Sequence, residues 1–215
     1  MAQDLSSYRK SYEKHELLEK NCSENPIELF DNWFLKADKS GMVEEANAMN
    51  ISTLGIDGFP KNRIVLLKKY NLNGFIFYTN YNSEKGKAIL KNSKVCLSFF
   101  WPSLEQQIII KGKAEKVDRI ISDSYFNSRP DGSKLGAWAS DQSEVISSRE
   151  EIENNLQNLE KKFEGREIPR PNHWGGFIVK PISIEFWQGR PNRLHDRIRY
   201  TLQEDFSWKL ERLAP

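Results

Sequence analysis

Four separated clusters of basic and hydroxyl side chains carry the chemistry open to this sequence, and all four suit an anion. The densest is WQGRPNRLHDRIRY, residues 187–200, with four Arg and one Asp. As a strand, the run 193–200 would place Arg193, His195, Arg197 and Arg199 on one face and Leu194, Ile198 and Tyr200 on the other, because side chains alternate along extended backbone. Three guanidiniums and an imidazole repel one another unless something negative lies among them. A phosphate or a charged ring suits the planar donor fork of arginine. A solvated strand face, its charge met by acidic residues from elsewhere, gives the same pattern.

The second cluster is YFNSRPDGS, residues 125–133. Tyr125 and Arg129 are four apart and share a helix face. Ser133 follows a Pro-Asp-Gly turn and can open a second helix, whose free N–H groups attract anions. Ordinary capping beside a surface arginine is the alternative. In the third, RIVLLKK, Arg63 and Lys68 bracket an apolar centre. Five residues apart, they fall on opposite faces of a regular strand, so they serve one pocket only if Arg63 lies at the strand mouth or a bulge intervenes. Otherwise they are solubilising strand-end charges. In the fourth, Ser83-Glu84-Lys85-Gly86-Lys87, Ser83 reads as an N-cap. Lys85 and Lys87 then stand at the wrong end of the helix dipole, a mismatch that a bound phosphate relieves and a surface helix also tolerates.

Several chemistries lack their signatures. His15, His173 and His195 are scattered, and no Cys/His spacing resembles a zinc site, so no metal is expected. There is no GxGxxG, GxxxxGK[ST] or GxSxG pattern. Lys and Arg number 32 against 30 Asp and Glu, a net charge of +2, which is not the basic footprint of a nucleic-acid binder. No apolar run reaches the roughly 18 residues of a membrane helix, and the polar N-terminus has no signal-peptide core. Cys22 and Cys96 cannot form a disulfide framework, and Cys96 in VCLSFF reads as a core thiol of a reducing compartment, so a cytoplasmic protein is expected.

The elements that must position these clusters follow from periodicity. The 215 residues suggest one domain, and 12 Phe, 7 Tyr and 6 Trp supply its core. Residues 1–25 lack an apolar period and read as a mobile arm; residues 26–215 read as one domain. Pro26 opens a helix with Ile27, Phe30, Phe34 and Ala37 on one face, ended by Gly41. Strands are expected at 49–56, 63–70, 74–80, 94–101 and 105–117, with Asn73-Gly74 as a hairpin turn and a short helix after Ser83. Helices follow at 119–128, 133–139 and 148–164, the last with a Ser148/Glu151 capping box and the stripe Ile152, Leu156, Leu159 and Phe163. A final β portion covers FIVKPISIEFWQ, RLHDRIRY and SWKLERLAP. Closely spaced strands joined by tight turns indicate an α+β protein built on an antiparallel barrel decorated by helices.

From about Pro26 to the terminal RLAP, the ordered motifs RIVLLK, FYTN, LEQQIIIKGKAEKV, YFNSRPDGS, LGAWAS, QS, WGGF, IEFWQG and RLHDR resemble the pyridoxamine 5′-phosphate oxidase family. The resemblance implies an FMN-binding split β-barrel and a homodimer with FMN at the interface. The implied reaction is oxidation of pyridoxine or pyridoxamine 5′-phosphate to pyridoxal 5′-phosphate, with O2 as acceptor and H2O2 as product. It assigns the flavin site to Arg63, Ile64, Val65, Leu66, Leu67, Lys68, Tyr78, Thr79, Lys85, Gln107, Gln142, Ser143, Trp187 and Arg197. Lys68, Tyr125, Arg129 and Ser133 would hold the substrate phosphate. Arg193 and His195 would be catalytic, against the pyridine ring, and Arg9, Lys10, Ser11 and Tyr12 would fold over the substrate. Glu84 departs from the family's usual Arg, which puts one contact to the FMN phosphate in doubt. Competing readings are a split-barrel FMN oxidase acting on a phenazine precursor, a non-catalytic flavin or pyridoxal-phosphate binder, and a single-stranded nucleic-acid binder.

Overall fold

The computed structural model describes residues 3–215, so the first two residues of the expected arm lie outside the described residues. Among the described residues, five α-helices and nine strands are ordered α1 (Pro26–Lys39), β1 (Ala48–Leu54), β2 (Pro60–Leu66), β3 (Lys69–Asn71), β4 (Gly74–Asn80), α2 (Glu84–Lys91), β5 (Lys94–Trp101) and β6 (Gln106–Lys116). They continue as α3 (Arg119–Asn127), α4 (Asp131–Ala139), α5 (Arg149–Phe163), β7 (Trp174–Gln188), β8 (Asp196–Leu202) and β9 (Trp208–Arg212). Strand order is β2-β1-β5-β6-β7-β4-β3, with β8 pairing β7 and β9 pairing β8. The β3–β4, β4–β7, β7–β8 and β8–β9 pairs are antiparallel. Two compact units form: residues 1–49, 97–111 and 181–215, and residues 50–96 with 112–180.

In the first unit, α1 starts where Asn25 accepts a hydrogen bond from the Ile27 amide at 2.9 Å, with Pro26 in its first turn. Its face buries Ile27, Leu29, Phe30, Trp33 and Ala37. Phe30 meets Phe99 edge-on at 5.3 Å, and Trp33 meets Phe186 at 5.3 Å. On β8, Ile198 and Tyr200 are fully buried, and the Tyr200 hydroxyl donates to the Ser23 carbonyl at 2.7 Å. The chain before α1 is tied down as well, with the Leu17 amide on Asp196 and Arg212 on Glu19.

In the second unit, β4 is buried along most of its length and pairs with β7 through Phe77↔Phe177. The hairpin at Asn73-Gly74 forms: Gly74 takes φ +139°, and a side chain there would run into the Val179 carbonyl, so only glycine fits. A satellite core of Phe126, Leu135, Ile168 and Trp174 packs against Leu156, Leu159 and Phe163 from α5.

Four local expectations need correction. The run 63–70 is two strands, because the chain changes partner at Leu67–Lys68: β2 lies beside β1, and β3 pairs with β4. α4 opens at Asp131, so the Ser133 amide is already used, donating to the Pro130 carbonyl. The residue bonded to Glu151 is Ser147, through its amide and hydroxyl, and Ser148 makes no side-chain cap. Finally, β8 begins only at Asp196, because Asn192 and Arg193 adopt positive φ of 56° and 62° and turn the chain first. Arg193 and His195 therefore do not share a strand face with Arg197 and Arg199.

Candidate functional site

A cavity of about 650 Å³ lies within the second unit, and three of the four basic clusters, those at 63–69, 83–87 and 125–133, contribute to it. The end of β2 supplies Ile64, Val65 and Leu66, and the break before β3 supplies Lys68. Strand β4 gives Tyr78 and Thr79, α2 gives Lys85, and the segment after α4 gives Gln142. Tyr125 enters from the last turn of α3, Arg129 from the link between α3 and α4, and Ser133 from the first turn of α4. The partner change at Leu67–Lys68 answers the spacing problem of the third cluster, since Lys68 reaches the cavity from outside a regular strand. Arg63 does not line it.

The cations here lack matching anions. Arg129 lies over the Trp174 ring at 4.6 Å, and its Nη1 is buried with no partner. Burial lowers its pKa from the ordinary value. Tyr125 stacks on Tyr78 at 3.9 Å, and Tyr78 stacks on Trp174 at 5.5 Å, so a ring ladder fixes the phenol beside that guanidinium. Lys85 is 6% exposed and donates to Thr79 Oγ1 (3.1 Å), Ser83 Oγ (3.2 Å) and Gln142 Oε1 (2.9 Å), all neutral. Desolvation, helped by the nearby Arg63, pushes its pKa down to about 8. A buried ammonium with neutral partners and an arginine with an orphaned donor make a cradle that fits phosphate.

Beside it, Arg63 is engaged: its Nη2 donates to Glu84 Oε2 at 3.1 Å, Lys61 pairs with the same carboxylate, and Arg63 Nε is buried and unpartnered. The Lys61 hydrogen bond, then Arg63, holds the Glu84 carboxyl below the usual carboxylate range. Leu67 is buried, and Ser143 follows α4 with φ 80°; neither lines the cavity.

The first unit holds a second cavity, of about 790 Å³, lined by Tyr8, Arg9, Lys10, Ser11 and Tyr12 together with Arg190, Asn192, Arg193 and His195. The arm segment and the two expected catalytic residues thus meet at one place. Trp187 lies 4.7 Å from the His195 ring, and Tyr12 meets Trp187 edge-on at 5.7 Å. His195 Nδ1 accepts from the Arg190 amide at 3.1 Å, which leaves Nε2 as the protonated nitrogen of the neutral ring. Burial, then the adjacent Arg193, lowers the His195 pKa and favours that neutral form.

Gln107 and Arg197 also belong to the first unit and line neither cavity. Gln107 donates to Ser98 at 3.3 Å; Arg197 pairs with Glu185 at 2.8 Å, and Arg199 with Glu211 at 2.9 Å. For these two strand arginines, the acidic neighbours left open by the sequence are present. Trp174, the platform under Arg129, carries no local signal within WGGF, because its partners come from α3 and β4, remote in sequence. Among the described residues no group of His, Cys, Asp and Glu could hold a metal, and no helix is long and apolar enough to cross a membrane.

Two family models match the chain. Residues 36–163 match "Pyridoxamine 5′-phosphate oxidase", and residues 174–215 match "Pyridoxine 5′-phosphate oxidase C-terminal dimerisation region". Proteins named pyridoxine/pyridoxamine 5′-phosphate oxidase are 66% identical in Flavobacterium johnsoniae, over 98% of this chain and 99% of that one, and 57% identical in Christiangramia forsetii, over 100% of both. Among solved structures, PhzG from Burkholderia lata, in complex with tetrahydrophenazine-1-carboxylic acid, superposes with a TM-score of 0.85 at 27% identity, covering 93% of this chain and 98% of that one. A pyridoxamine 5′-phosphate oxidase-related, FMN-binding protein from Nostoc punctiforme has the same fold at a TM-score of 0.70 and 15% identity, covering 90% and 100%. The shared fold is the antiparallel split β-barrel with attached helices.

Proposed function

The chain belongs to the pyridoxamine 5′-phosphate oxidase family, and we propose that it oxidises pyridoxine or pyridoxamine 5′-phosphate to pyridoxal 5′-phosphate on bound FMN. The observation that carries the reading is the second unit's cavity, where Arg129 keeps a buried, unpartnered Nη1 beside Tyr125, Ser133 and Lys68. That donor set suits a phosphate monoester dianion. FMN, when bound, supplies the two-electron acceptor, with O2 as final oxidant and H2O2 as product. Lys85 and its hydroxyl and amide neighbours hold the FMN phosphate, and Arg63 joins them once released from Glu84. Ile64, Val65, Leu66, Tyr78, Thr79 and Gln142 complete the flavin site from the walls of the same cavity.

Arg129, Tyr125, Ser133 and Lys68 anchor the substrate phosphate, so binding energy remote from the reacting carbon goes into alignment. His195 donates from Nε2 to the oxygen on the pyridine ring, its tautomer set by the Arg190 amide. Arg193 places positive charge at that oxygen, and residues 9–12 cover the substrate and exclude water. The chain works as a homodimer through residues 174–215, in the cytoplasm.

The deciding experiment adds FMN and pyridoxine 5′-phosphate to the purified protein in air. Equal amounts of pyridoxal 5′-phosphate and peroxide are expected. Flavin binding without product overturns the reading in favour of another oxidase substrate, such as the phenazine-type acid bound by PhzG, or of a binding protein.

A further inference from the structure

Glu105 sits in a position that chain geometry disfavours. It follows a short turn at residues 102–104, takes φ 57° and ψ 38° in the left-handed region, and is only 2% exposed. A glycine would adopt that backbone freely, so a carboxylate kept there is explained by what it holds. Its Oε2 accepts two consecutive main-chain amides, Glu13 at 2.9 Å and Lys14 at 3.0 Å. Lys14 Nζ adds a bond to the Ser103 carbonyl at 2.6 Å, and Lys10 Nζ lies 3.9 Å from Glu105 Oε1. The same residue's carbonyl accepts from the Gly189 amide at 2.7 Å and from Gln188 Nε2 at 3.1 Å. One residue thus holds the arm through its side chain and the start of the loop bearing Arg190, Arg193 and His195 through its main chain. Gly189 completes the seat: any side chain there would collide with the Tyr12 ring.

We propose that Glu105 is the anchor that sets arm residues 9–12 over the cavity carrying Arg193 and His195, acting as a positioning residue that never touches substrate. The structural part stands on the hydrogen bonds alone; the consequence for turnover rests on the proposed function. A carboxylate that accepts both amides fixes the direction in which the chain leaves residue 13. Residues 9–12 then have a short tether and a defined path. Loss of the anchor leaves them to sample open conformations, which weakens substrate retention without altering the groups at the ring.

The test uses the full-length, FMN-loaded protein and two variants. Glu105→Gln weakens the anchor from the buried side. Glu13→Pro deletes one of the two donors from the exposed arm, where folding of the body is not at risk. Both should speed tryptic cleavage after Arg9, Lys10 and Lys14 about tenfold. Both should raise KM for pyridoxine 5′-phosphate about tenfold with kcat within about threefold and FMN affinity unchanged. Deleting residues 1–12 should reproduce the KM effect, and adding Glu105→Gln to that deletion should change nothing more, because both act through one element. Unchanged cleavage in both variants overturns the proposal. So does a KM effect of Glu105→Gln that persists in the truncated chain, which would place its action in the Gly189 loop. If the unaltered protein does not oxidise the substrate, the proposed function falls while the cleavage rates still decide the anchor.

Discussion

Replacing Arg129 by alanine separates binding from folding. In the ligand-free chain two terms oppose each other. The unpartnered, buried Nη1 costs about 1–3 kcal/mol of lost hydration. The guanidinium stacked at 4.6 Å on Trp174 returns about 0.5–2 kcal/mol. Arg129→Ala removes both, so the ligand-free stability should change by between a loss of about 1 and a gain of about 2.5 kcal/mol. With phosphate present the orphan becomes a charge-assisted bond worth about 1.5–3 kcal/mol, and its loss should raise KM about 10- to 150-fold. Arg129→Lys keeps the charge but loses the planar fork and should fall between. The assay pairs steady-state kinetics on pyridoxine 5′-phosphate and on pyridoxine with urea unfolding of the ligand-free protein. An equal loss on both substrates, or an unchanged KM, would refute the phosphate role. A stability loss above about 2 kcal/mol would show that the stacking on Trp174, not the anion, is what the residue serves.

Three further outcomes follow from the charges and the buried phenol. Glu84→Gln should release Arg63 and tighten FMN binding while leaving riboflavin, which has no phosphate, unaffected; titration of both flavins into apo-protein checks this, and weaker FMN binding would instead make Glu84 a positioning group for Arg63. Lys85, held near pH 8 by burial instead of its ordinary 10.5, should lose its charge as pH rises through about 8. FMN affinity should therefore be full below that pH and fall above it, with riboflavin affinity flat. Because the unfolded chain keeps the Lys85 proton up to its ordinary pKa, ligand-free stability should rise over the same interval, and a parallel fall of both quantities would contradict the assignment. Tyr200→Phe removes the bond to the Ser23 carbonyl and should cost about 0.5–1.5 kcal/mol in urea unfolding, with no change in KM.

What the sequence made legible is what local rules control. The α1 stripe from Ile27 to Ala37, the Asn73-Gly74 hairpin and the Ser83 cap each depend on a few adjacent residues, and each forms as read. The misreadings occur where a distant partner decides. The run RIVLLKKY reads as one strand because nothing in it says that β2 and β3 have different neighbours, yet that change of partner brings Lys68 into the cavity with Tyr125 and Arg129. Alternation over 193–200 suggested four cations on one face, but positive φ at Asn192 and Arg193 assigns the cluster two roles. Arg197 and Arg199 are neutralised on β8 by Glu185 and Glu211, whereas Arg193 and His195 stand free of that strand beside residues 9–12. Glu105 carries no local signal within LEQQIII. Its meaning lies in two amides more than ninety residues earlier in the chain, a relation that no spacing rule encodes. The anionic chemistry was thus readable from residue type, because cations without anions are conspicuous in any sequence. Which cations remain unpaired after folding, and are therefore free for a ligand, is a property of tertiary neighbours alone.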